Sequence, residues 1–231
     1  MPFPIRRSAP IASRHRPTTA AVAVASAAVL LAGTAATASA APAPVRTDGG
    51  APVRYVALGD SFSSGPGIPD QTDEACGRSS RNYPTLVAAS LGAASFTDAT
   101  CAGADTRHMT TPQGAANPQF DAPQARVLVV GYPAIVPDDG TSCRATVPLA
   151  EGDFAWFRDK QKQLNSVLAS EAGNGRDTYV DAYAPSVGHD ACKPQGVRWI
   201  EPEQTAEAAG FHPNAAGHRS MADATLATLT R

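Results

Sequence analysis

The chain has 231 residues, 43% hydrophobic and 17% charged, with 19 basic and 21 acidic side chains and a formal charge of −2. That length suits one domain behind a leader segment, and no internal repeat points to a solenoid. Beyond the N-terminal arginines no basic cluster occurs, so the electrostatic footprint of a nucleic-acid-binding protein is lacking.

Arg6, Arg7, Arg14 and Arg16 form a basic region, residues 20–32 are mostly Ala, Val and Leu, and Ala38-Ser39-Ala40 fits a signal-peptidase site. Residues 1–40 therefore read as a signal peptide cleaved near Ala40, and the protein as secreted. The apolar core is shorter than the ~20 residues of a membrane span, so no stable membrane insertion is expected. Cleavage removes four arginines and no acid, leaving 15 basic and 21 acidic side chains and a charge of −6. Residues 41–52 read as a flexible tail and 53–231 as the folded domain. Nothing demands more than a monomer.

The apolar run 53–58 suits a buried parallel strand. Residues 61–81 read as a long polar loop. The spacing of Tyr83, Leu86, Val87 and Leu91 predicts a helix over 83–91, stopped by Gly92. A weaker strand is expected over 95–100, then an irregular connector to Gln124. Val127-Leu128-Val129-Val130 is the strongest strand signal. Residues 151–172 form the strongest helix signal, with Phe154, Phe157, Leu164, Val167 and Leu168 on one face and Gly173 as the stop. A strand over 178–183 and a terminal helix over 214–229 complete the chain. Strands alternating with helices indicate a parallel α/β sheet, whose active sites form beyond the C-terminal strand ends.

Cys76, Cys101, Cys143 and Cys192 all lie in the mature part. Four cysteines in an oxidising compartment suggest two disulfides, with three possible pairings. Cys76–Cys101 with Cys143–Cys192 is favoured, because each pair flanks one segment. No trio of histidine and carboxylate has metal-ligand spacing, so neither metal nor other cofactor is expected. His108 reads as a surface residue, His189 as a structural loop residue, and His218 as solvated or packed on the last helix.

Gly59-Asp60-Ser61-Phe62 directly follows the first strand, and His212-Pro213-Asn214 precedes the last helix. Serine needs a base to become a nucleophile near neutral pH, and histidine is the usual one. Each motif alone is weak: Asp60-Ser61 is also a common loop cap, and a late histidine is often only a surface residue.

Together with their surroundings they resemble the SGNH, or GDSL, hydrolase family, close to its secreted actinobacterial branch of esterases, lipases and phospholipases. YVALGDSFSSG (55–65) is similar to that family's nucleophile block, CAGA (101–104) to its glycine block, VVGYP (129–133) to a later core strand, GHDAC (188–192) to the stretch before the C-terminal block, and FHPNAAGH (211–218) to the histidine block. The resemblance implies a flavodoxin-like three-layer α/β sandwich around a small parallel sheet. It implies carboxylic-ester hydrolysis of a small-molecule or lipid ester, with Ser61 as nucleophile and His212 as base. The Ser61 and Gly103 amides would be oxyanion donors. The favoured disulfides agree with the outer two of that branch.

Two departures stand out. Ala209 occupies the position where many members place the triad aspartate. A carbonyl of Ala209 or Gly210 would then orient His212 in a Ser–His dyad, with Glu201, Glu203 and Glu207 reading as solvated loop charge. The G-x-N-D block that supplies an asparagine donor is also missing, together with a central strand and the middle cysteine pair, as if one strand–helix unit were deleted. Asn117, in Gly114-Ala115-Ala116-Asn117, is a loose substitute for that donor. The first strand must then pair directly with 127–130, or sheet edges are left open. The alternative reading is a catalytically impaired or inactive member.

Overall fold

The computed structural model describes residues 52–109, 111–113, 124–205 and 207–230, all within the unit Ala41–Arg231. The expected signal peptide, nearly all of the tail, and Asn117 lie outside the described residues.

The elements run in the expected order. Strand β1 (Arg54–Ala57) leads into a single helical turn, α1 (Ser61–Ser64). A small antiparallel hairpin, β2 (Gln71–Asp73) and β3 (Arg78–Ser79), occupies what the sequence suggested was loop. Its periodicity is too short to stand out in sequence. The hairpin is anchored by a ring of polar contacts, Arg78 to Asp73 and to the Asp98 carbonyl, and the Ser80 amide to the Asp70 carbonyl at 3.0 Å.

Helix α2 (Tyr83–Leu91) begins at Asn82, whose side chain accepts from the Thr85 amide, and ends at Gly92 with φ 57. Strand β4 (Ser95–Asp98), a 3₁₀ turn at Thr106–Met109 and strand β5 (Leu128–Val130) follow, then α3 (Asp153–Gly175), β6 (Thr178–Val180) and α4 (Ala215–Leu229). Helix α3 runs through Gly173 and closes on Arg176 in the left-handed region. Its buried residues are Phe154, Gln161, Asn165 and Ala172, while Leu164 and Val167 are exposed, contrary to the hydrophobic face read from sequence. The reason is specific. Two side-chain amides grip the backbone after β5 and turn the helix toward it. Asn165 bonds both the Tyr132 amide and carbonyl at 2.8 Å, and Gln161 bonds the Ile135 amide and the Pro133 carbonyl.

All strand pairing between β1 and β4 and between β5 and β6 is parallel, Arg54 opposite Ser95 and Leu128 opposite Thr178. The two pairs do not join, and among the described residues no strand lies between them. Both nevertheless pack on one apolar cluster, in which Tyr83, Val87 and Leu91 of α2 meet Ala182 and Met221 and Ala222 of α4, with Tyr55 and Val130 against them. The β5–β6 pair has α3 and α4 beside it. The β1–β4 pair turns its Tyr55–Phe96 stack, 5.2 Å between centroids, away from its Arg54–Val56 face. On that second face Val56 is 41% exposed, Leu58 beyond it is 42% exposed, and Val127 ahead of β5 is 44% exposed. Among the described residues, these apolar side chains at two strand ends stand open to solvent.

The disulfides Cys76–Cys101 and Cys143–Cys192 close loops with sequence separations of 25 and 49. By loop-closure arguments each contributes about 3–4 kcal/mol.

Because the β1 face is open, Val56→Thr should cost under about 1 kcal/mol in urea unfolding, as surface changes do. It should also lower binding of the dye ANS, which reports exposed apolar surface. A loss above about 2 kcal/mol would mean that this face is covered.

Candidate active site

The nucleophile turn is built by exclusion. A Cβ on Gly59 would stand 2.7 Å from the Ser63 Cβ, so only glycine lets the chain turn here. Asp60 then caps α1, its Oδ1 accepting from the Phe62 amide at 2.9 Å. Its Oδ2 accepts from the Tyr132 hydroxyl at 2.6 Å. Burial, then the Asp60 carboxylate, push the Tyr132 phenol far above its ordinary range, so this proton stays on the tyrosine. The Phe62 ring meets the Tyr132 ring edge-on at 5.2 Å and the His212 imidazole at 5.0 Å.

His212 comes from a loop fixed on both sides. The Glu201 amide donates to its carbonyl at 3.0 Å, and the Phe211 amide donates to the Glu201 carbonyl at 2.9 Å. Phe211 takes φ 60, rare for a bulky residue. Its packing against the cluster of Val136, Phe154 and Ile200 offsets that strain. The result is a 2.8 Å contact between His212 Nε2 and Ser61 Oγ, and a 2.7 Å contact between Nδ1 and the Gly210 carbonyl. A carbonyl only accepts, so Nδ1 carries the proton and Nε2 is left to accept from the serine. Of the two carbonyls considered, Gly210's is the one at the ring.

Gly103 lies on the turn after Cys101 with φ 81. The Ala102 amide donates to the Cys76 carbonyl at 2.8 Å and the Cys101 amide to the Gly59 carbonyl at 2.9 Å, which ties this turn to the nucleophile turn. Among the described residues neither the Ser61 nor the Gly103 amide has a partner.

No family model matches the chain. It is 33% identical over 274 aligned positions to Lipase 2 of Streptomyces coelicolor, covering 85% of this chain and 91% of that protein. The chain belongs to the SGNH hydrolase family. It is an SGNH/GDSL-type serine esterase or lipase by family, in the actinobacterial branch. The crystal structure of phospholipase A1 from Streptomyces albidoflavus NA297 superposes with a TM-score of 0.65 at 26% identity, covering 77% of this chain and all of that one. The extracellular lipase of Streptomyces rimosus gives 0.61 at 25% identity, covering 76% and 99%. The fold is thus the family's α/β fold.

Residues before and within the histidine block support His212 from behind. Glu201 is fully enclosed, not solvated as its place in a polar loop suggested. It pairs with Arg198 at 2.7 Å, accepts from Asn214 Nδ2 at 2.7 Å and from the Thr205 hydroxyl. Burial opposes its ionisation, but the hydrogen bonds from Arg198, Thr205 and Asn214 outweigh it and hold the carboxyl below its ordinary range. Asn214 caps α4 with its Oδ1, so Glu201 fixes the residue that starts the helix behind His212. Glu203 and Glu207 are exposed.

His218 is completely buried on α4, its Nδ1 accepting from the Tyr83 amide at 3.1 Å. Burial, and secondarily His212, push its pKa down to about 3. It stacks on Tyr83, whose hydroxyl lies 3.3 Å from Ser63 Oγ in α1. His189 stacks on Trp199 at 3.7 Å, and His108 Nδ1 accepts from the Asp105 amide. Among the described residues no group of histidine, cysteine and carboxylate is placed to hold a metal, and no helix is long and apolar enough to cross a membrane.

If the Gly210 carbonyl alone orients His212, Glu203→Gln and Glu207→Gln should leave kcat within about 3-fold, against the ~10⁴-fold loss seen when a triad carboxylate is neutralised. Glu201→Gln should instead lower stability by about 3 kcal/mol, because Arg198 loses its buried partner. The folded fraction should keep its kcat. A large kcat loss in any of the three would place a carboxylate in the proton path.

His218 is neutral in the folded protein and has a lowered pKa, so between pH 6.5 and about 3 the unfolded chain binds more protons. Stability should therefore fall as pH drops through that window, by up to about 1.4 kcal/mol per unit from this group. His218→Gln should flatten the slope in urea titrations at pH 4 to 7, and an unchanged slope would remove His218 as its source.

Proposed function

We propose that the chain is a secreted carboxylic-ester hydrolase that works through an acyl-Ser61 intermediate with a Ser61–His212 dyad. The observation that carries this reading is the 2.8 Å contact between His212 Nε2 and Ser61 Oγ, with Nδ1 committed to the Gly210 carbonyl. Ser61 Oγ adds to the ester carbonyl carbon while its proton passes to His212 Nε2. The carbonyl π pair moves onto oxygen, where the Ser61 and Gly103 amides receive it. The intermediate collapses, the C–O bond to the alcohol breaks, and His212 returns its proton to the leaving oxygen. Water then repeats the sequence on the acyl-serine, His212 acting first as base and then as acid. The relatives are named as lipases, an esterase and a phospholipase A1, which supports a lipid or other small ester as substrate. Two disulfides and the basic–apolar–small N-terminus support secretion by cleavage near Ala40.

An internally shortened, impaired member is the competing reading. The alignment with Lipase 2 runs over 274 positions, more than the 231 residues of the chain, so the relative carries sequence without a counterpart here. Among the described residues the unjoined strand pairs fit the same internal shortening.

Purified 41–231 should hydrolyse short- and medium-chain nitrophenyl esters, and Ser61→Ala should reduce kcat by at least about 10³-fold while circular dichroism stays unchanged. Equal rates in the two folded proteins would leave the impaired reading standing.

A further inference from the structure

Adding a serine to an ester separates charge. The carbonyl oxygen becomes negative, and the base that takes the serine proton becomes positive. On the positive side, His212 Nδ1 meets the Gly210 carbonyl at 2.7 Å, a dipole without net charge. One further group touches the imidazole. The Phe62 phenyl lies 5.0 Å from it between centroids, with the two planes 35° apart. Near-parallel rings at this spacing overlap through their faces with an offset. The face of an aromatic ring carries negative charge density and attracts a cation within about 6 Å of the ring centre. Neutral imidazole gains little from such a face and imidazolium gains more. The difference is a stabilisation that appears as the proton moves, which is the kind that speeds a reaction.

The phenyl is also fixed in advance. The Phe62 amide donates to Asp60 Oδ1 at 2.9 Å, which sets the backbone directly after the nucleophile. Tyr132 packs against the Phe62 ring edge-on, 5.2 Å between centroids and 76° between planes. Tyr132 is itself held at both ends, its hydroxyl by Asp60 Oδ2 at 2.6 Å and its amide by Asn165 Oδ1 at 2.8 Å. No side chain has to be ordered as charge develops, so the stabilisation carries no reorganisation cost. Phe62 and His212 are both half-buried, where water screens a charge less than at the open surface.

We propose that Phe62 is a positioning residue that acts through His212, its π face stabilising the imidazolium formed when Ser61 gives up its proton. The proposal rests on the acyl-Ser61 reading above. Both half-reactions pass through the charged histidine, so the contribution of Phe62 lies in kcat and not in KM.

The test keeps the shape of the side chain and drains its π face. Purified 41–231 is prepared with mono-, di- and trifluorinated phenylalanine incorporated at Phe62 alone, and as Phe62→cyclohexylalanine, which fills a similar volume with no π face. Every version keeps the main-chain bond to Asp60. Turnover is measured on nitrophenyl butyrate with Ser61→Ala as the control, together with melting temperature and inhibition by an alkyl trifluoromethyl ketone, a mimic of the tetrahedral species. The kcat should fall stepwise with each fluorine and reach a loss of about 2–30-fold in Phe62→cyclohexylalanine, with KM within about 3-fold. Ketone affinity should weaken in the same order, since its Ser61 adduct places the same charge on His212. A kcat that is flat across the series, with turnover still dependent on Ser61, overturns the role of Phe62 and leaves the acyl-serine reading intact. So does a loss confined to KM, which marks the ring as a wall of the ester cleft, or one that follows melting temperature instead of fluorine number, which marks it as packing. Turnover that survives Ser61→Ala, or a folded parent without turnover, removes both readings together.

Discussion

Ser61 and His212 are 151 residues apart, and the site exists only while their 2.8 Å contact holds. Neither side chain can hold it alone. Ser61 sits on a turn that Gly59 makes possible and Asp60 caps. His212 sits on a loop whose backbone is pinned by Glu201 and whose neighbour Phe211 is held at a strained φ of 60. A misplacement of about 1 Å between such partners costs on the order of 10²-fold in rate, so the scaffold must be stiff at both ends.

In a continuous parallel sheet the hydrogen-bond ladder would supply that stiffness. Here β1–β4 and β5–β6 are separate, and side chains bridge them instead. Tyr132, just after β5, donates to Asp60 just after β1, and its own backbone is clamped by Asn165 of α3. Helix α3, β5 and the nucleophile turn thus form one connected polar chain. Beneath it, α2 and α4 share a core with residues of both strand pairs. Each hydrogen bond is worth only about 1 kcal/mol net, but a fully paired buried network fixes position more than it adds stability. The open face at Val56 and Leu58 is the part of the sheet that this substitution leaves unprotected.

Much of this frame is legible in the chain because it rests on local signals. The 83–91 helix has its apolar spacing and Gly92 stop written in sequence, and β1 and β5 carry apolar runs of equal clarity. The register of α3 was not legible. Its orientation is set by Gln161 and Asn165 reaching the backbone after β5, and a polar residue at helical spacing reads as solvent-facing until its distant acceptor is known. Glu201 fails for the same reason: in a polar loop nothing announces that Arg198, Thr205 and Asn214 converge on it. The hairpin at 71–79 is too short to show a period of two. In the candidate site, Ser61 and His212 are nameable from their blocks, whereas the Tyr132 contact to Asp60 crosses the fold and no spacing encodes it.

The histidine's electrostatics complete the logic. A carboxylate at Nδ1 would favour the imidazolium by Coulomb attraction, while the Gly210 carbonyl offers only a dipole. In the proposed mechanism the imidazolium would then be less stabilised, and more of the transition-state stabilisation would have to come from the oxyanion donors. A second positive charge close by would make this worse. His218, near enough for His212 to depress its pKa, is kept neutral chiefly by complete burial, so in the proposed mechanism it would add no repulsion as His212 takes the serine proton. Burying one histidine as an uncharged cap on α2 thus leaves the other free to carry charge. The same burial ties the terminal helix to the core directly behind the nucleophile.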